Sequence, residues 1–154
     1  VEVEINGSMR HFEAPENSKA IFILRNEPGL LGVKMGCGEG QCGACVVLVD
    51  GVPTTTCDLP VWALKDKVVT TVEGIGFLES PHPVQTAFLE EQAGQCGYCL
   101  SGILMTAVAL YERDPSPTEI EVRAALDMHL CRCGTHSRIV NAVMRSFAIS
   151  GCHD

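Results

Sequence analysis

The chain has 154 residues, enough for one ordinary domain or for two small ones that lean on each other. A hydrophobic content of 46% and a mean hydropathy of +0.18 are globular values and exclude an extended disordered chain. Basic residues number 11 against 19 acidic, and the net charge of −8 argues against nucleic acid or an anionic membrane surface as a partner.

Val1, Val3 and Ile5 alternate with Glu2 and Glu4, Asn6-Gly7 follows, and a second extended segment runs to Phe12, the pattern of a β-hairpin with a type I′ turn. This opening reads as a strand, without the basic and apolar regions of a leader. A cytoplasmic location is therefore expected, and a periplasmic or membrane-associated one only if a partner carries the signal. Ser18 to Arg25 predicts a short helix laid across a sheet and ended by Glu27-Pro28-Gly29.

The stretch Gly36-Cys37-Gly38-Glu39-Gly40-Gln41-Cys42-Gly43-Ala44-Cys45 holds three cysteines apart almost wholly with glycine and alanine. Such a loop wraps a compact inorganic core and lets backbone N–H groups approach the ligand sulfurs. The spacing Cys-x4-Cys-x2-Cys with a more distant fourth cysteine, Cys57, is the plant-type [2Fe–2S] arrangement. Gly38 to Gly43 also satisfies G-x-G-x-x-G. A dinucleotide loop, however, must open a helix, and here the β-branched run Val46-Val47-Leu48-Val49 follows. After that strand come the turn Asp50-Gly51, a segment reaching Cys57, and two further predicted short strands, Val61 to Leu64 and Val68 to Val72. A hairpin, a crossing helix and more short strands predict an α+β half like the β-grasp fold of plant-type ferredoxins.

Gly74-Ile75-Gly76 reads as the seam, because strand signals precede it and long helical signals follow it. Residues 1–75 are expected to form the ferredoxin-like domain and residues 76–154 a helical one. Pro81 to Gly94 carries a helical run, and Cys99 to Tyr111, apolar nearly all round, predicts a buried central helix. The apolar stretch from Leu100 to Leu110 is too short to span a bilayer. Ser116-Pro117-Thr118-Glu119 reads as a capping box with proline at the first helical position, and Ser137 to Ile149 as the last helix. Four such helices joined by short loops predict a small bundle.

Within that bundle Gln95-Cys96-Gly97-Tyr98-Cys99 precedes one helix and Leu130-Cys131-Arg132-Cys133-Gly134 another, so all four thiolates fall at helix N-termini, where free N–H groups stabilise anionic sulfur. The chain thus has two four-cysteine sets, Cys37, Cys42, Cys45, Cys57 and Cys96, Cys99, Cys131, Cys133, with Cys152 left over as a free thiol. Close spacing along the chain favours metal over a disulfide framework. Zinc also takes four thiolates and stands as the alternative, most of all for the second set. A thioredoxin-like role for Cys96-Gly97-Tyr98-Cys99 would need a preceding strand, and none is read there.

The order of the Gly-Cys-Gly-x-Gly-x-Cys-Gly-Ala-Cys loop, then Gln95-Cys96-Gly97-Tyr98-Cys99, then Cys131-Arg132-Cys133-Gly134-Thr135, resembles the small iron–sulfur subunit of the molybdenum hydroxylase (xanthine oxidase) family over nearly the whole chain. His82 to Phe88, the Asp50-Gly51 turn and Arg138-Ile139-Val140 fit the branch of isoquinoline 1-oxidoreductase and nicotinate dehydrogenase. The resemblance implies an electron-transfer subunit with two [2Fe–2S] clusters and no catalytic residues of its own. A large partner subunit would hold a molybdopterin cofactor, in the cytosine dinucleotide form, and hydroxylate an N-heterocyclic aromatic substrate. The alternatives are an aldehyde or a purine as substrate. Electrons would leave toward cytochrome c or FAD. By the same resemblance Cys133 lies beside the pterin on the electron path and Gln95 hydrogen-bonds the pterin. An apolar or mixed patch around the bundle and Trp62 would dock the large subunit.

Met128-His129 stands where the family commonly has Gly-Asn, and His136 where a tyrosine is usual. Both histidines read as surface or interface residues rather than as proton carriers, and not as ligands, since four cysteines already complete the set. Met105 and Met144 read as core fillers. Arg132, between two cysteines, either tunes a cluster or pairs with a partner carboxylate.

Overall fold

The computed structural model describes residues 1–150 of the chain. Strands β1 (Glu2–Ile5), β2 (Ser8–His11), β3 (Val46–Val49), β4 (Val52–Thr55) and β5 (Val68–Thr70) form one sheet in the order β2-β1-β5-β3-β4. β1 and β2 pair antiparallel through a turn whose Asn6 and Gly7 have φ of 50° and 77°, the left-handed pair that a type I′ turn requires. β5 then lies parallel to β1 and antiparallel to β3. Helix α1 (Ala20–Asn26) crosses this sheet and buries Ala20, Ile21 and Leu24 against Val3, Val47 and Val69. This is the expected α+β ferredoxin-like half.

Val61–Leu64, expected as a strand, is a turn of 3-10 helix. Pro60 sets its start, the Ala63 amide donates to the Pro60 carbonyl, and Lys65 donates to Trp62. Val61 and Leu64, three residues apart, fall on the same side of such a turn and are both fully buried, while Trp62 is 55% exposed. A run this short does not distinguish the two periods. The expected Val68–Val72 strand ends at Thr70, and Val72–Gly74 is a second 3-10 turn.

Four helices follow: α2 (Pro83–Glu90), α3 (Leu100–Arg113), α4 (Glu119–Leu126) and α5 (His136–Ser150). The capping box of α4 sits two residues later than expected, with Thr118 as N-cap and Glu121 as its reciprocal partner. Glu121 Oε2 accepts from both the amide and the hydroxyl of Thr118 at 2.7 Å, and Thr118 Oγ1 accepts from the Glu121 amide at 3.3 Å. That reciprocal set outweighs what Ser116 offers, whose amide is taken by Asp114 at 3.0 Å. Met105 is fully buried in the helical core, and Met144 packs against it.

β3 is buried on both faces, and this fuses the two halves. Val47 joins the core under α1, while Val46 and Leu48 join the core made by Val84, Ile103 and Val143 of the helices. A strand shared by two cores must be apolar on both sides, which explains the unbroken Val46-Val47-Leu48-Val49 run. Among the described residues, no helix is long and apolar enough to cross a membrane.

Candidate metal centres

The loop between α1 and β3 folds back so that its amides point at sulfur. Cys37 Sγ accepts from the amides of Glu39 at 3.4 Å and Gln41 at 3.2 Å, Cys42 Sγ from Cys37 at 3.3 Å, and Cys57 Sγ from Gly40 at 3.1 Å. Cys45 Sγ accepts from the Thr56 amide at 3.3 Å, and the Thr56 hydroxyl donates to the Cys45 carbonyl at 2.9 Å. These bonds favour thiolate, the form that ligates metal. The amides of Glu39 and Gln41 bring the Cys37 thiol down to about 6, whereas burial pushes Cys57 up to about 11. Metal binding at the buried end must therefore release protons.

The four thiols lie near one another: Cys42 hydrogen-bonds Cys37, Cys45 hydrogen-bonds Cys57, and the charge of Cys37 also reaches Cys57. The second set repeats this arrangement, with Cys96 paired to Cys133 and Cys99 to Cys131. Cys99 is the N-cap of α3, and Cys131 and Cys133 precede α5. The Tyr98 amide lowers the Cys96 thiol, and burial pushes Cys99 up to about 12. Burial raises Cys131, but hydrogen bonds from Thr135, Cys99 and the Cys133 amide together outweigh it and bring this thiol down to about 7; Thr135 Oγ1 lies 3.2 Å from Cys131 Sγ.

Two pairs per set suit a core with two metal atoms, each taking two protein sulfurs. A single zinc instead needs four donors converging on one point. Four thiolates in each of two places fit a diiron core, and the Cys-x4-Cys-x2-Cys spacing of the first loop favours it there over zinc.

All eight expected ligands are thus gathered in two places. Gln95 is exposed beside Cys96 and lines a groove of about 800 Å³ with Phe77, Leu78, Phe88, Leu89 and Leu100. Cys133 is half-buried. Arg132 is exposed. Cys152 lies outside the described residues. The parts that four residues play here are not read in the sequence. Thr56 and Thr135 bond to the cysteines, and the His136 ring accepts from the Cys131 amide at 3.3 Å through Nε2. Tyr98 ties the second loop to the first through its hydroxyl, which donates to the Met35 carbonyl at 2.7 Å. Thr135, next to the start of α5 and four residues after Cys131, carried the only usable sequence signal.

Comparison with known proteins gives a consistent set of relatives. Residues 3–67 match the 2Fe-2S iron-sulfur cluster binding domain, and residues 71–144 the [2Fe-2S] binding domain. The chain is 45% identical over 146 residues to one of the subunits of nicotinate dehydrogenase from Pseudomonas putida, covering 95% of this chain and 93% of that one. It is 40% identical over 147 residues to the alpha chain of isoquinoline 1-oxidoreductase from Brevundimonas diminuta, covering 95% and 96% respectively. The crystal structure of quinoline 2-oxidoreductase from Pseudomonas putida 86 contains a chain that superposes with a TM-score of 0.91 at 32% identity, covering 99% of this chain and 96% of that chain.

Proposed function

The chain belongs to the family of small two-cluster iron–sulfur subunits of molybdenum hydroxylases, and from that membership we propose that Cys37, Cys42, Cys45 and Cys57 hold one [2Fe–2S] cluster and Cys96, Cys99, Cys131 and Cys133 the other. Its work is electron transfer, and the catalytic site is on a large molybdopterin-binding partner. When bound, the clusters supply one-electron carriers. The protein supplies sulfur in fixed pairs, amides that stabilise charge on those sulfurs, and a buried frame that holds the two loops in register. The backbone amides aimed at the sulfurs of Cys37, Cys42, Cys45 and Cys57 are the observation that carries the ligand reading.

We place Gln95 against the pterin and Cys133 on the electron path beside it. The seam between the ferredoxin-like residues 1–75 and the helical residues 76–154 lies at Gly74–Gly76. The large subunit seats on the apolar groove that Gln95 lines, where Phe77 and Leu78 are exposed in a way that marks an interface. Trp62, also exposed, extends the contact or serves another subunit. The relatives named for nicotinate and isoquinoline favour an N-heterocyclic aromatic substrate over an aldehyde or a purine. The cofactor is read as the cytosine dinucleotide form, the acceptor as cytochrome c or FAD, and the compartment as the cytoplasm.

Cys133→Ser tests the path. In the complex, substrate should reduce both clusters more slowly, while dithionite still reduces the first. Unchanged turnover would remove Cys133 from the route.

A further inference from the structure

His129, expected at the surface or an interface, is instead 6% exposed, carries no ligand role, and touches both α3 and the first cysteine loop. Its Nε2 lies 2.7 Å from Thr106 Oγ1 on α3. Its Nδ1 has no hydrogen-bond partner and lies against Gly43, the residue between Cys42 and Ala44 of the first cysteine loop. A Cβ on Gly43 would overlap the imidazole, and one on Gly102 of α3 would overlap the Gly43 carbonyl. The next residue, Leu130, donates its amide to the Cys42 carbonyl at 3.1 Å, and Cys131 of the second set follows directly. Gly43 is thus wedged between α3 and the imidazole, with its φ at +73°.

The hydrogen-bond geometry assigns the tautomer. With Nε2–H donating to Thr106, no buried N–H is orphaned, and the Nδ1 lone pair faces the Cα hydrogens of Gly43, a weak but directional contact. With Nε2 committed to Thr106 and Nδ1 against Gly43, the ring packs as a wedge between α3 and the first cysteine loop. A further side-chain link between the two loops, from Tyr98 to Met35, is exposed to water that competes for it.

We propose that His129 is a positioning residue that clamps the first cysteine loop onto the second, so that it sets the separation, and with it the coupling, of the two clusters. This rests on the ligand assignment above. Dipolar interaction between two reduced clusters falls with the cube of their separation, and electron exchange falls faster still. A loosened clamp therefore shows in both.

The test uses the complex with its large subunit, fully reduced by dithionite, and reads the low-temperature EPR splitting caused by interaction between the clusters. Wild type should show the splitting. Thr106→Val, which removes only the hydrogen-bond partner, and His129→Ala should reduce or abolish it at unchanged iron content. His129→Gln, whose amide reaches the Nε2 position, should restore it. A splitting equal to wild type in both Thr106→Val and His129→Ala overturns the proposal, and if His129→Ala fails to retain iron, Thr106→Val alone decides. Wild type with iron for a single cluster would defeat the ligand assignment and this proposal together, and iron content tells that case apart.

Discussion

His82 closes the start of α2 with a side chain that caps only while it is neutral. Its Nδ1 accepts from the Val84 amide at 3.2 Å, Gln85 Oε1 accepts from the His82 amide at 2.9 Å, and the ring packs edge-on to Tyr111 at 5.0 Å. Burial lowers its pKa from the ordinary value of 6.5, against a smaller opposing pull from Glu112. A group depressed on folding contributes stability that is present above its unfolded pKa and lost as pH falls through the folded one. Acidification below the ordinary histidine range should therefore weaken α2. His82→Asn keeps a cap that does not titrate, and its thermal midpoint should fall less between neutral pH and the acid side than that of wild type. Parallel curves for the two proteins would contradict this. The sequence shows why such residues are hard to read. The eight cysteines stand out because ligand spacing is local, whereas His82 is not among the usual capping residues and the contacts of Thr56 and His129 exist only after distant segments meet.

Among the elements, α3 decides how the cysteine loops meet. Glycine inside a helix ordinarily costs about 1 kcal/mol against alanine. At Gly102 the order should reverse, because an added methyl would overlap the Gly43 carbonyl. Gly102→Ala is expected to cost about 1–3 kcal/mol as overpacking, read as a fall of several degrees in the thermal midpoint. A midpoint equal to or above wild type would show that the loop can yield. The sheet hairpins, the central helix and the last helix were legible because their periods run long enough to be unambiguous. Val61–Leu64 was not, since four apolar residues suit a strand or a helical turn equally and the bond from the Val61 amide to the Ser18 carbonyl depends on tertiary structure. Ser116 and Thr118 both begin plausible caps, and only the reciprocal bonds to Glu121 choose between them.

Over the whole molecule, two hydrophobic cores share β3, and each abuts one cysteine set: Cys45 and Cys57 belong to the core beneath α1, and Cys131 to the helical core. The chain can therefore be read as a rigid spacer between two redox sites. Its outer surface carries exposed pairs such as Arg145 with Glu90 at 2.7 Å and Glu91 at 3.0 Å, each worth little to stability. The central claim is that eight thiolates bind two diiron cores. Metal and acid-labile sulfide analysis joined to EPR of the dithionite-reduced protein tests it most directly. The account predicts two distinct [2Fe–2S] signals with iron and sulfide to match. A single signal, a [4Fe–4S] spectrum, or zinc without inorganic sulfide would contradict it.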